Sequence, residues 1–252
     1  MTSIRGSILG AILLAMGVSG ANAADLGHGR RHSIKDVPQV SPAATWYIRG
    51  DFGYGTYDDP IMVEEGRFDL TRTEIESTWS FGGGIGRYYS PFVRGDFTID
   101  WRNETDVRGT LQGHPTLLNG TRPTTLESLV LMKNFYYDFN RYGRFNPYLG
   151  FGIGAVKHKT SDSTFDDGCG CTVTLQGEEN WHVAASLMAG FSFKLRSKMH
   201  IDAGYKFSYL GETKYGNISG THPTQGAGTI FGGTIEDLHT HEFRIGLRYD
   251  IR

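Results

Sequence analysis

Phe92-Val93-Arg94-Gly95-Asp96-Phe97-Thr98-Ile99-Asp100-Trp101 alternates without a break: Val93, Gly95, Phe97, Ile99 and Trp101 fall on one side, Arg94, Asp96, Thr98 and Asp100 on the other. Successive side chains of a β-strand point to opposite faces, so the stretch predicts a strand with one apolar and one charged face. The pattern recurs along the chain. Trp46, Ile48, Phe52 and Tyr54 oppose Arg49 and Asp51, and Trp79, Phe81 and Ile85 oppose Ser80, Gly82, Gly84 and Gly86. Leu149 to Ala155, Trp181 to Phe193, Ile201 to Tyr209 and Phe243 to Ile251 read the same way. An eighth strand, about Leu126 to Phe139, is ambiguous in phase because Lys133 falls on the face of Leu129, Leu131 and Phe135.

Glycines and Arg/Asp pairs gather on one face, and Trp, Tyr and Phe crowd the other near the strand ends. A soluble barrel with an apolar interior gives glycines no reason to gather opposite the aromatics. With the apolar face turned to lipid, aromatic girdles sit at the interfaces, and glycines and paired charges fill the narrow bore of an eight-stranded barrel. The links between strands support this: Thr56–Ile75, Arg102–Thr125, Thr160–Glu178 and Gly211–Leu238 are long, and Tyr89–Pro91, Asn140–Asn146 and Arg196–His200 are short. Long and short links alternate, so antiparallel neighbours place all long links at one end, the asymmetry of outer-membrane barrels. The expected fold is therefore all-β, an eight-stranded antiparallel up-and-down transmembrane barrel.

Composition agrees. The chain has 252 residues, 13% of them aromatic, with 35 glycines and 25 Lys+Arg against 27 Asp+Glu. So many rings exclude a disordered chain, and the absence of a clustered basic excess excludes a nucleic-acid binder. Arg5 followed by the apolar run Ile8 to Val18 and by Ala21-Asn22-Ala23 reads as a secretory signal over residues 1–23, cleaved before Ala24. Residues 24–44, with Pro38 and Pro42, are expected to form a periplasmic linker, and residues 45–252 the barrel.

Trp46-Tyr47-Ile48-Arg49-Gly50-Asp51-Phe52-Gly53-Tyr54, Asn146-Pro147-Tyr148-Leu149-Gly150-Phe151-Gly152-Ile153-Gly154 and Gly246-Leu247-Arg248-Tyr249 resemble the small outer-membrane β-barrel proteins of alphaproteobacteria, which include porin-family surface antigens and are related in fold to the OmpA transmembrane domain and OmpX. The resemblance runs from about Trp46 to Ile251. It implies a place in the outer membrane of a Gram-negative cell, contact with lipid and lipopolysaccharide, and insertion by the barrel-assembly machinery. It further implies a role in envelope integrity and surface interaction as antigen or adhesin, with a host or surface ligand left unnamed. Family members usually end in an aromatic residue, whereas here Ile251 and Arg252 take the last places.

The candidate site is a lumenal charge cluster of Arg49, Asp51, Arg94, Asp96, Asp100, Asp202, Lys206, Arg244 and Arg248. Arg49-Gly50-Asp51 and Arg94-Gly95-Asp96 spell an integrin-type tripeptide, but mid-strand positions two apart share one inward face and read as lumenal ion pairs. Cys169 and Cys171 are the only cysteines and are expected to form a loop-tip disulfide in an oxidising compartment. Nine histidines show no three-ligand pattern, so no metal and no cofactor is expected. His182 and Ser186 share a face yet stand about 13 Å apart at strand rise, too far for a nucleophile and its base. The chain therefore reads as a surface-interaction barrel rather than an enzyme. The alternatives are a narrow passive channel and a lipid-modifying enzyme.

Overall fold

The computed structural model describes residues 46–58, 60–64, 68–69, 72–111, 120–166, 172–222, 226–230 and 232–251. Eight strands form a wall: Trp46–Tyr57 (β1), Thr78–Tyr88 (β2), Val93–Leu111 (β3), Gly120–Asp138 (β4), Phe145–Thr160 (β5), Glu179–Arg196 (β6), Met199–Tyr209 (β7) and His239–Ile251 (β8). Each strand pairs antiparallel with its neighbours in sequence, and β1 pairs with β8 in the register Trp46↔Ile251, which closes the sheet. A closed antiparallel sheet has no free edge and leaves no wall amide for hydrocarbon to desolvate. The segments read as a signal and a linker, and both cysteines, lie outside the described residues.

The wall is inside out. Phe97 is 45% exposed and its neighbour Thr98 1%, and the contrast repeats down every strand, with Phe81, Phe151, Leu187 and Phe243 outward and Ser80, Gly152, Ser186 and Glu242 inward. Glycines on the inner face of β2 make room for larger neighbours. A Cβ on Gly86 would lie 2.2 Å from the Tyr47 ring, and one on Gly82 1.8 Å from Asp100 Oδ1. Links 89–92, 139–144 and 197–198 are short and lie at one end, which by the rule for such barrels is periplasmic.

The ambiguous strand resolves as β4 with Leu126, Ser128, Val130, Met132, Asn134 and Tyr136 inward, which places Lys133 on the lipid face. Both faces of this strand carry apolar residues, so periodicity alone had no basis for a choice. Lys133 stands midway between Leu129, paired with Trp101, and Tyr137, whose ring stacks on Phe92 at 6.1 Å. At about 3.3 Å per residue and a tilt near 40°, Leu129 to Tyr137 spans roughly 20 Å, close to the height of the apolar band, so Lys133 sits near the midplane. Its Nζ lies 5.6 Å from the Phe135 ring centroid, on the periplasmic side, the direction of an interface that a long cationic side chain can reach toward.

One expectation is corrected. The long links are not plain loops: β3 continues past Trp101 to Leu111, β4 begins at Gly120 rather than Leu126, and Arg72–Ile75 adds to β3. Two further four-stranded sheets stand at the extracellular end. One runs in the order 213–215, 233–236, 61–64, 68–69, the other 226–230, 218–222, 172–175, 163–166. Thr, Ser and Gly dominate several of these segments, so their alternation is polar with polar and gives no hydrophobic period to read.

Two substitutions test the facing. Phe97→Arg is expected to destabilise the barrel by about 2–4 kcal/mol, and Lys133→Leu to stabilise it by up to a similar amount. Reversible unfolding in lipid vesicles measures both, with heat-modifiable gel mobility as the check on folding. Unchanged stability of the first, or lowered stability of the second, contradicts the assignment.

Candidate functional site

The nine residues of the predicted cluster all project into the lumen, from β1, β3, β7 and β8. Arg49 donates from Nε and Nη2 to both oxygens of Asp51 at 2.7 Å and from Nη1 to Asp96 at 2.9 Å. Asp96 also accepts from Tyr47 and Asn134, at 3.0 and 2.8 Å. The second tripeptide does not pair internally: Arg94 turns to Asp138 at 3.2 Å, because Asp96 is taken by Arg49. Arg94 is fully buried, with its guanidinium 4.0 Å from the Tyr136 ring centroid and 5.0 Å from that of Tyr148. Ring faces thus do part of the work that water does elsewhere. On the neighbouring strands β7 and β8, Arg248 meets Asp202 at 3.2 Å.

A second tier lies nearer the extracellular end. Asp100 accepts from Lys206 at 3.2 Å and from Arg244 at 2.6 Å, Arg244 reaches Glu242 at 2.8 Å, and Glu242 accepts from Arg102. Arg102, Asp138, Glu242 and Asp250 were not in the predicted cluster. Glu242 and Asp250 stand in phase with Arg244 and Arg248 and were legible as inward. Arg102 begins what reads as a link, and Asp138 sits in the strand of ambiguous phase. Among the described residues Asp51, Asp96, Asp100, Asp138, Asp202, Glu242 and Asp250 face Arg49, Arg94, Arg102, Lys206, Arg244 and Arg248, seven carboxylates to six cations. His200 contacts the odd carboxylate, Asp250, at 3.2 Å.

Above these tiers the lumen becomes apolar. Leu126, Val130, Met132, Val156 and Ala184 from the wall pack against Met62, Val173, Leu175, Tyr215, Ile218 and Ile235 from the extracellular sheets. Burial of this cluster clamps the sheets onto the barrel mouth. Backbone and hydroxyl bonds tie the same joint, with Thr160 Oγ1 donating to the Lys214 carbonyl at 3.2 Å and Asp58 N donating to the His239 carbonyl at 3.1 Å. Between Arg49, Asp51, Tyr136, Tyr148 and Asp202 a lumenal cavity of about 20 Å³ remains, room for about one water. Such a lumen is a packed ionic interior under an apolar stopper. What the arrangement offers to the outside is the two folded sheets. Ser186, candidate partner of His182, is buried in the wall, and no hydrogen-bond partner of its Oγ is found among the described residues.

A family model described as the outer membrane protein beta-barrel domain matches residues 11–250. The chain is 29% identical to an uncharacterized protein of Brucella abortus, with 95% of each chain covered. It is 26% identical to a putative adhesin of Rickettsia bellii, over 82% of this chain and 88% of the relative. Among solved structures, the outer membrane protein OprG of Pseudomonas aeruginosa matches 83% of this chain and 97% of its own, at a TM-score of 0.53 and 16% identity, a likeness of fold alone.

The second tier lends itself to a double-mutant cycle. Asp100→Asn leaves Lys206 buried without its carboxylate and should cost about 3–5 kcal/mol. Adding Lys206→Met should recover more than half of that loss, since Arg244 keeps Glu242. Additive losses in vesicle unfolding experiments would show that the two side chains do not act as a pair.

Proposed function

Because the chain belongs to the outer membrane protein β-barrel domain family, we propose that it serves the cell surface as a structural and contact-making protein, with the barrel as a closed pedestal and the extracellular sheets as the binding face. The protein sits in the outer membrane with its wall in contact with lipid. The observation that carries the proposal is the filled lumen. Arg94 and Arg102 lie buried across the bore, and the apolar cluster of Leu126, Met132, Val156, Leu175 and Ile235 packs the mouth, which among the described residues favours a closed barrel over a narrow channel. The extracellular third is folded β structure joined to the wall, a form suited to presenting a surface of fixed shape. A relative described as a putative adhesin supports the same reading. No catalytic step is proposed.

Export belongs to this reading: residues 1–23 act as the cleaved signal and residues 24–44 as the periplasmic linker. The barrel-assembly machinery inserts the chain. Lipopolysaccharide packs around the extracellular half of the wall. N-terminal sequencing of the outer-membrane protein is expected to begin at Ala24. A chain still starting at Met1 refutes the signal.

Thr160 and Glu178 already meet through hydrogen bonds, Thr160 N to the Glu178 carbonyl at 3.0 Å and Glu178 N to Thr160 Oγ1 at 2.9 Å, so residues 161–177 can be replaced by an Asn-Gly turn. Cells displaying the intact protein should bind host-cell or matrix preparations, and cells displaying the shortened one should bind less while the barrel stays heat-modifiable. Planar bilayers holding the intact protein should show no discrete conductance steps. Stable steps together with unchanged adhesion would reverse the proposal in favour of the channel.

A further inference from the structure

The two ends of the wall carry opposite charge. At the periplasmic end, Arg87, Arg144, Lys194, Arg196 and Lys198 bring charge to the surface, while Arg141 donates to the Ser90 carbonyl and lies over the inward Tyr88 ring. No exposed carboxylate accompanies them among the described residues. Asp138 and Asp250, the acids of this level, are turned inward onto Arg94 and onto Tyr88 and His200. The extracellular end is mixed and mainly acidic: Glu76, Glu104, Asp106, Asp162 and Glu178 are exposed there, Arg108 is tied to Glu76 and Asp106, and Lys157 is tied to Glu179. A rim that served solubility alone would mix signs in that way at both ends.

The depth of the cations is set by aromatic residues. Arg87 lies over Trp46, 5.6 Å from the ring centroid, and Arg144 lies 5.3 Å from that of Phe193. Trp46 and Phe193 belong to the outward-facing aromatic girdle, where amphipathic rings mark the level of lipid head groups. The Arg87 and Arg144 guanidinium groups, at that level and outward of the wall, meet phosphate oxygens as ready acceptors, in a geometry their planar fork matches. Basic residues close to an anionic leaflet each gain from its negative potential, and the gain fades within a screening length.

We propose that this arc of cations, running from the end of β2 through the β4–β5 turn to the β6–β7 turn, binds the phosphate head groups of anionic phospholipids in the periplasmic leaflet and enriches them over zwitterionic lipid around the barrel. The arc then anchors the wall at a defined depth and opposes its tipping, while the acidic end faces the opposite leaflet. This inference is independent of what the extracellular sheets bind.

The test uses the refolded protein in mixed phosphatidylcholine and phosphatidylglycerol vesicles, with spin-labelled lipids of each kind reporting the motionally restricted shell. The wild type should favour phosphatidylglycerol by about fivefold or more, the effect expected of a single well-placed basic residue. In roughly 1 M salt, where the screening length falls to about 3 Å, the preference should collapse toward one. The variant Arg87→Gln/Arg144→Gln/Arg196→Gln/Lys198→Gln should lose it at low salt while keeping heat-modifiable mobility. Should that variant not fold, the paired variants Arg87→Gln/Arg144→Gln and Arg196→Gln/Lys198→Gln should each lose part of it. Equal association of both lipids with the wild type overturns the proposal, as does a preference that survives the substitutions.

Discussion

Everything in this molecule follows from the cost of an unpaired backbone amide in hydrocarbon. A chain that crosses a bilayer with strands must close its sheet, since any edge would expose a row of N–H and C=O groups to lipid. Closure with eight strands leaves a bore that side chains just fill. From that one requirement come the outward phenylalanines, the pairing of β1 with β8, and the inner glycines that let Tyr47 and Asp100 cross where a Cβ would block them.

A bore of that width, lined with charge, sets a second constraint. Charges withdrawn from water destabilise a fold unless each finds a partner and a full set of hydrogen bonds. Here the carboxylates are shared: Asp96 serves Arg49, Tyr47 and Asn134, and Asp100 serves Lys206 and Arg244. Because these partners come from strands on different sides of the barrel, the network ties the wall together across its interior as well as along its ladders.

Above the ionic tiers the logic inverts. The extracellular mouth faces water, and a stopper there is stabilised by the ordinary hydrophobic effect, so Leu126, Val130 and Val156 turn inward against Met62, Leu175 and Ile235. One strand, β4, takes part in both regimes. Its inner face runs from the apolar stopper at Leu126 to the ionic tier at Asp138, while its outer face holds Lys133 among lipid-facing apolar neighbours. The surface sheets are held to the wall through this joint.

The closed barrel, its inside-out facing and the end at which the turns are short were all readable from alternation and link length, because a period of two is a local property of the chain. Residues such as Arg49, Asp51 and Arg244 were recognisable as inward for the same reason. Which cation meets which carboxylate was not: Arg94 pairs with Asp138 across a strand boundary, and only the register between β3 and β4 brings the two together. The phase of β4 and the folded sheets beyond the membrane were likewise decided in three dimensions. A strand apolar on both faces, and segments polar on both, carry no periodic signal until packing chooses a side for them.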